Sequence, residues 1–183
     1  NTYTGVTTIS AGTLVVGSAA PSGAAGALGN ASSAVLLGDT SGSANAALVT
    51  NGAFAVARNI TVQAGSSGTA TIGGSTAHSS SFTGNVVLNK DVILTAVSGG
   101  TATFSTGVIS GSYALTKTDV GTVVLSGTNT YTGGTTIKAG IVQISTNAAL
   151  GSGSVTLGDT SGSNAASLLV STTGLTVANA IVL

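Results

Sequence analysis

The chain has 183 residues, a formal net charge of zero and charged side chains at only 4% of positions. Such a chain has no electrostatic hold on nucleic acid or on an anionic membrane surface, and without cysteine it has no disulfide framework or thiolate metal site. A single histidine and no glutamate remove most acid–base machinery as well.

In chain order, β-branched and aliphatic runs predict short strands at Thr13–Val16, Val35–Leu37, Ile60–Gln63, Thr69–Ile72, Asn85–Leu88 and Val92–Ala96. Further strands are predicted at Thr101–Phe104, Thr122–Leu125, Ile141–Ile144, Val155–Leu157 and Ser167–Val170. Between them fall turn pairs such as Gly73-Gly74, Gly99-Gly100, Gly133-Gly134 and Ser161-Gly162. No window shows a 3.6-residue apolar period. No apolar run approaches the ~20 residues that span a bilayer. Apolar residues make up 42% of the chain but aromatics only 3%, so the core is thin and filled by small aliphatics.

The chain repeats itself. NTYTG at Asn1–Gly5 returns at Asn129–Gly133, and TTISAG at Thr7–Gly12 returns as TTIKAG at Thr135–Gly140. VLLGDTSGS at Val35–Ser43 returns as VTLGDTSGS at Val155–Ser163, and VARNITV at Val56–Val62 faces VANAIVL at Val177–Leu183. The difference in length falls in the small-residue segments between these blocks, which are therefore surface loops. Residues 1–128 form one long unit and 129–183 begin the next, within one continuous segment 1–183 that reads as an excerpt from an array.

Near-identical copies, many short strands and a thin core define the expected fold: all-β, a right-handed parallel β-helix wound from a single chain. At ~20 residues per coil it would make about nine coils, and at ~4.8 Å per coil it would be ~43 Å long.

Tyr113–Gln143 reads YALTKTDVGTVVLSGTNTYTGGTTIKAGIVQ. It resembles the autotransporter-associated β-strand repeat through Leu115, Lys117, Gly121, Thr122, Leu125, Ser126, Gly127, Asn129, Thr130, Tyr131, Gly133, Thr135, Ile137 and Gly140. Asp119 departs from the pattern, which prefers glycine there, and so does Ile141-Val142-Gln143. The opening Asn1–Val16 resembles the second half of the motif. The resemblance implies a passenger-type segment of a bacterial surface or secreted protein, extracellular or on the outer cell surface, and brings no catalytic residues. On physical grounds Leu115, Val123, Leu125, Ile137 and Val142 suit inward positions.

The polar residues weigh against chemistry. His78 precedes three serines, but the nearest acid in sequence is Asp91 and no nucleophile elbow is present, so it reads as a loop histidine rather than a triad base. Asp39 and Asp159 occupy equivalent GDTSGS segments, some six coils or ~29 Å apart, and read as turn residues whose side chains bond amides two residues on. Asn129, Gly133 and Gly140 are likewise structural turn positions. Lys90–Asp91 and Lys117–Asp119 read as exposed pairs worth ~0–1 kcal/mol. Arg58 is replaced by Asn179 in the second copy, which argues against an essential role. Tyr3 and Tyr131 either pack at a coil corner or form exposed aromatic positions for a sugar. The triplets Thr69–Thr71 and Thr101–Thr103 are too few for an ice-binding array.

The chain is thus expected to be no enzyme, with no catalytic residue, cofactor or metal, and to act as a stiff surface stalk, fibre or passenger. The alternatives are an adhesin for a glycan or a surface and, behind it, a polysaccharide-degrading β-helix enzyme. Expected partners are further repeats of the same chain, or identical chains joined end to end; a glycan is a candidate ligand, and nucleic acid and membrane insertion are not expected.

Overall fold

Alternating aliphatic and polar residues in three- to five-residue runs cannot bury both faces of a strand, so each run buries one face against the next run of the coil. A computed structural model describes residues 1–160 and 163–183. The first turn holds β1 (Thr8–Ile9) and β2 (Gly12–Val16), and the second holds β3 (Val35–Leu37), β4 (Ala46–Thr50) and β5 (Ala55–Val56). The next three turns repeat the triplet as β6 (Ile60–Val62), β7 (Ala70–Gly74), β8 (Ser79–Phe82); β9 (Val86–Leu88), β10 (Val92–Ala96), β11 (Thr101–Phe104); and β12 (Ile109–Gly111), β13 (Leu115–Thr118), β14 (Thr122–Leu125). Then follow β15 (Thr135–Ile137) with β16 (Gly140–Ile144), β17 (Val155–Leu157) with β18 (Ala166–Val170), and β19 (Ile181–Val182).

These strands stack into three parallel sheets, which we call the first, second and third faces. The first runs β1-β3-β6-β9-β12, the second β2-β4-β7-β10-β13-β15-β17-β19, and the third β5-β8-β11-β14-β16-β18. Residues 130–132 prolong the first face beyond β12, since Thr130 N donates to Ile109 O and Thr132 N to Gly111 O. The fold is the expected parallel β-solenoid, and among the described residues there is no helix.

The number of turns is smaller than expected. The faces are 5, 8 and 6 strands deep, an average of about six turns rather than nine. Early coils are longer than ~20 residues. Gly12 pairs with Ala46, 34 positions on, whereas Leu115 pairs with Thr135, only 20 on. The eight-strand face is accordingly ~34 Å long at ~4.8 Å per strand.

Like residues stack in the core. On the third face Val56, Phe82, Phe104, Leu125 and Ile144 follow one another inward, with the Phe82 and Phe104 rings stacked at 4.9 Å. On the second face Leu48, Ile72, Leu94, Lys117 and Ile137 form a column, aliphatic except for one lysine. Leu115, Val123, Leu125, Ile137 and Val142 are all buried, as the motif required. The expected turn Ser161-Gly162 lies outside the described residues.

Candidate functional site

The motif coil 115–144 concentrates the buried polar groups. The alternation of β13 points Leu115 and Lys117 inward, and Lys117 is only 1% exposed. This corrects the reading of Lys117–Asp119 as an exposed pair. The Lys117 Nζ reaches the corner and donates to the carbonyls of Thr118, Asp119 (2.7 Å) and Ala139 (3.3 Å). Burial pushes the ammonium down to about 8, with the Asp119 charge pulling the other way. Asp119 itself accepts from the Thr95 hydroxyl. Its φ of 59° is left-handed, which is why the motif favours glycine at this position.

Asn129 ties three turns together. Its Oδ1 accepts from Ile109 N (2.9 Å) in the turn before, and its Nδ2 donates to Ala149 O (2.7 Å) in the turn after. Its own backbone N donates to Ala148 O. Other corner residues face one way only. Asn45 accepts from Thr69 N, Asn59 from Asn85 N, Asn85 from Val108 N, and Asp91 from Ala114 N, each at 2.8–2.9 Å.

Tyr131, expected either to pack at a coil corner or to form an exposed aromatic position, is fully enclosed at 0% exposure. Its hydroxyl pairs with Thr135 Oγ1 at 2.6 Å, and burial holds the phenol well above its ordinary range despite that bond. Tyr3 makes the equivalent bond to Thr7 Oγ1 at 2.8 Å but is 43% exposed. The two tyrosines therefore form no exposed ladder. At Gly133 a Cβ would lie 2.2 Å from Tyr113 C, and Gly140, at φ 71°, would bring one 2.5 Å from Gly121 O. Both positions exclude a side chain by backbone contact between turns.

Arg58 corrects a second expectation. It is 0% exposed, and its guanidinium donates to Leu28 O, Ser33 O and Ser33 Oγ. Asn179, its counterpart, donates to Leu150 O, Gly151 O and Gly153 O. Both residues hold the same loop. Two extra residues between Leu28 and β3, compared with the second copy, demand the longer side chain.

The acids do not converge. Asp39 follows β3 on the first face and bonds its neighbour, Thr40 N, at 2.8 Å, one residue on rather than two. Asp159 follows β17 on the second face, Asp91 precedes β10, and Asp119 follows β13. Exposed His78 faces Thr76 Oγ1 at 3.1 Å. The triplets Thr69–Thr71 and Thr101–Thr103 lie on different faces. A cleft of about 240 Å³ opens beside Lys90 and Asp91, floored by Thr69 and Thr116. Its polar groups serve the fold: Lys90 Nζ donates to Ser66 O and Gly68 O, and Asp91 Oδ1 accepts from Ala114 N. Among the described residues no three His, Cys, Asp or Glu side chains could share a metal ion.

Asn129 and Lys117 staple the motif coil of this parallel β-solenoid to its neighbouring turns, and the enclosed Tyr131 fills its corner. Residues 1–16 and 115–144 match the passenger-associated-transport-repeat family. Through these two segments the chain is similar to autotransporter passenger repeat proteins. Over 44 residues, 24% of the chain, it is 52% identical to the adhesin BmaC autotransporter of Brucella suis biovar 1 (strain 1330), and it spans about 1% of that relative's length. No solved structure matches it.

Sequence reasoning missed Lys117 and Arg58 because an isolated basic residue normally reads as solvated. The available signal for Lys117 was its inward register, two positions after Leu115.

Proposed function

We propose that this segment is a stiff scaffold within the exported, surface-exposed part of a bacterial autotransporter-type protein, without enzymatic activity. One observation carries the reading. Four of the polar residues that the motif specifies, Lys117, Asn129, Tyr131 and Thr135, are at most 4% exposed and bond backbone or one another. None of these four is left to touch a ligand. Continuous parallel ladders over a dry core make a rod that resists bending and proteolysis.

The test is imaging and digestion of the purified chain. A particle ~34 Å long with a uniform width, intact after protease treatment that degrades a chain carrying Asn129→Ala and Tyr131→Ala, supports the scaffold. A native chain cut as fast as that variant would defeat it. The match to an adhesin supports a second reading, in which the exposed faces bind a glycan or a surface. Retention of the chain on a glycan array, lost on substitution of outward residues such as Thr116 and Thr136, would select that reading. End-to-end joining of identical chains belongs to the scaffold reading too, and appears as filaments in the same images.

A further inference from the structure

The repeat and the coil are out of step. β1 carries the TTIS of the first copy and lies on the first face, while β15 carries the matching TTIK and lies on the second. Every other matched strand moves the same way: β3 to β17 and β6 to β19 pass from first to second face, and β2 to β16 and β4 to β18 from second to third. Between β1 and β15 the first face advances through β3, β6, β9, β12 and residues 130–132. The unit is therefore five turns and one face long. The loop between β2 and β3 (residues 17–34) is eight residues longer than its counterpart (145–154), yet the step before it and the step after it are the same. Loop length changes how far the chain protrudes, not how far it winds.

We infer that successive units of such an array present the same surface in three directions in turn. Each unit is rotated by a third of a turn and advanced by ~26 Å, so a given loop returns to the same edge only after three units, ~77 Å along the axis. The start of the GDTSGS segment shows the first step: Gly38 leaves the end of β3 on the first face, and its copy Gly158 leaves the end of β17 on the second. The consequence builds on the surface-rod reading. A flat partner lying along the rod meets any one loop once in three units. A hydrated polymer mesh surrounding the rod meets every unit. The rod is built to engage its surroundings from all sides, and its avidity for a plane is limited to a third of its copies.

The chain has no cysteine, so paired spin labels can be placed without background. Outward Thr136 is register-paired with Thr116 on the second face. An in-phase repeat would instead set it over Ser110, which continues the first-face column of Thr8, Leu36, Thr61 and Val87. Strong dipolar broadening for T116C/T136C with none for S110C/T136C is the expected result. The reverse pattern, or equal spectra for the two pairs, overturns the inference. This readout needs no ligand, so failure of the rod to bind anything leaves it unaffected, and a phase error leaves the scaffold reading standing.

Discussion

At the scale of single residues, the motif works by satisfying backbone groups that corners leave unpaired. Asn129→Ala would strand Ile109 N and Ala149 O in a buried setting, at a cost of about 2–4 kcal/mol. Asn1→Ala removes only an exposed bond to Ala27 O and should cost about 0.5 kcal/mol or less. Urea denaturation of the two variants checks the contrast. The buried ionisable groups set an alkaline stability profile. Lys117 has a folded value of about 8 against 10.5 when free, so the unfolded chain holds more protons between those limits. Stability therefore rises with pH across that window. Tyr131 is the opposite case. Its phenol stays protonated in the fold above 10, where the unfolded phenol ionises, so stability falls from there upward. A thermal midpoint that climbs from pH 8 towards 10 and then drops is expected, and Lys117→Met should flatten the climb.

At the scale of elements, strands and loops obey different constraints. Although β4 (AALVT) was missed, most strand runs rich in Val, Ile and Leu were legible because inward positions must be aliphatic to stack. β8 (SSSF) and β13 (LTKT) were not, because each holds a polar residue inward: Ser80, and Lys117 with its corner carbonyls. Short runs such as β1, β5 and β19, two residues each, carry too little pattern to stand out. The staple role of Arg58 was hidden for a different reason: its partners are carbonyls of a loop 25 and 30 residues away, and no local spacing encodes that contact. Arg58→Ala should free the 17–34 loop. Limited proteolysis is expected to cut there about tenfold faster, with the 145–154 loop, held by Asn179, unchanged. Arg58→Asn should not rescue it, because the shorter side chain cannot reach Ser33 across the two added residues.

At the scale of the whole molecule, cohesion comes from ladders and aliphatic stacking rather than from charge. The chain has 4 basic and 4 acidic side chains, so its unfolding midpoint should move by only a degree or two between 0.05 and 1 M sodium chloride, roughly as expected when screened surface pairs contribute ~0–1 kcal/mol. A shift of ten degrees would show that long-range charge organises the rod after all. The solenoid class was readable from the internal copies, whereas the count of turns was not, because it depends on how much chain each corner diverts into a loop. The one-face step has a hereditary corollary. Tandem copies invite duplication and loss by recombination, and here either event leaves every ladder correctly joined. Each such event would nevertheless re-aim everything beyond it by 120°, so lineages that differ by a single copy share one core while pointing their distal parts in different directions.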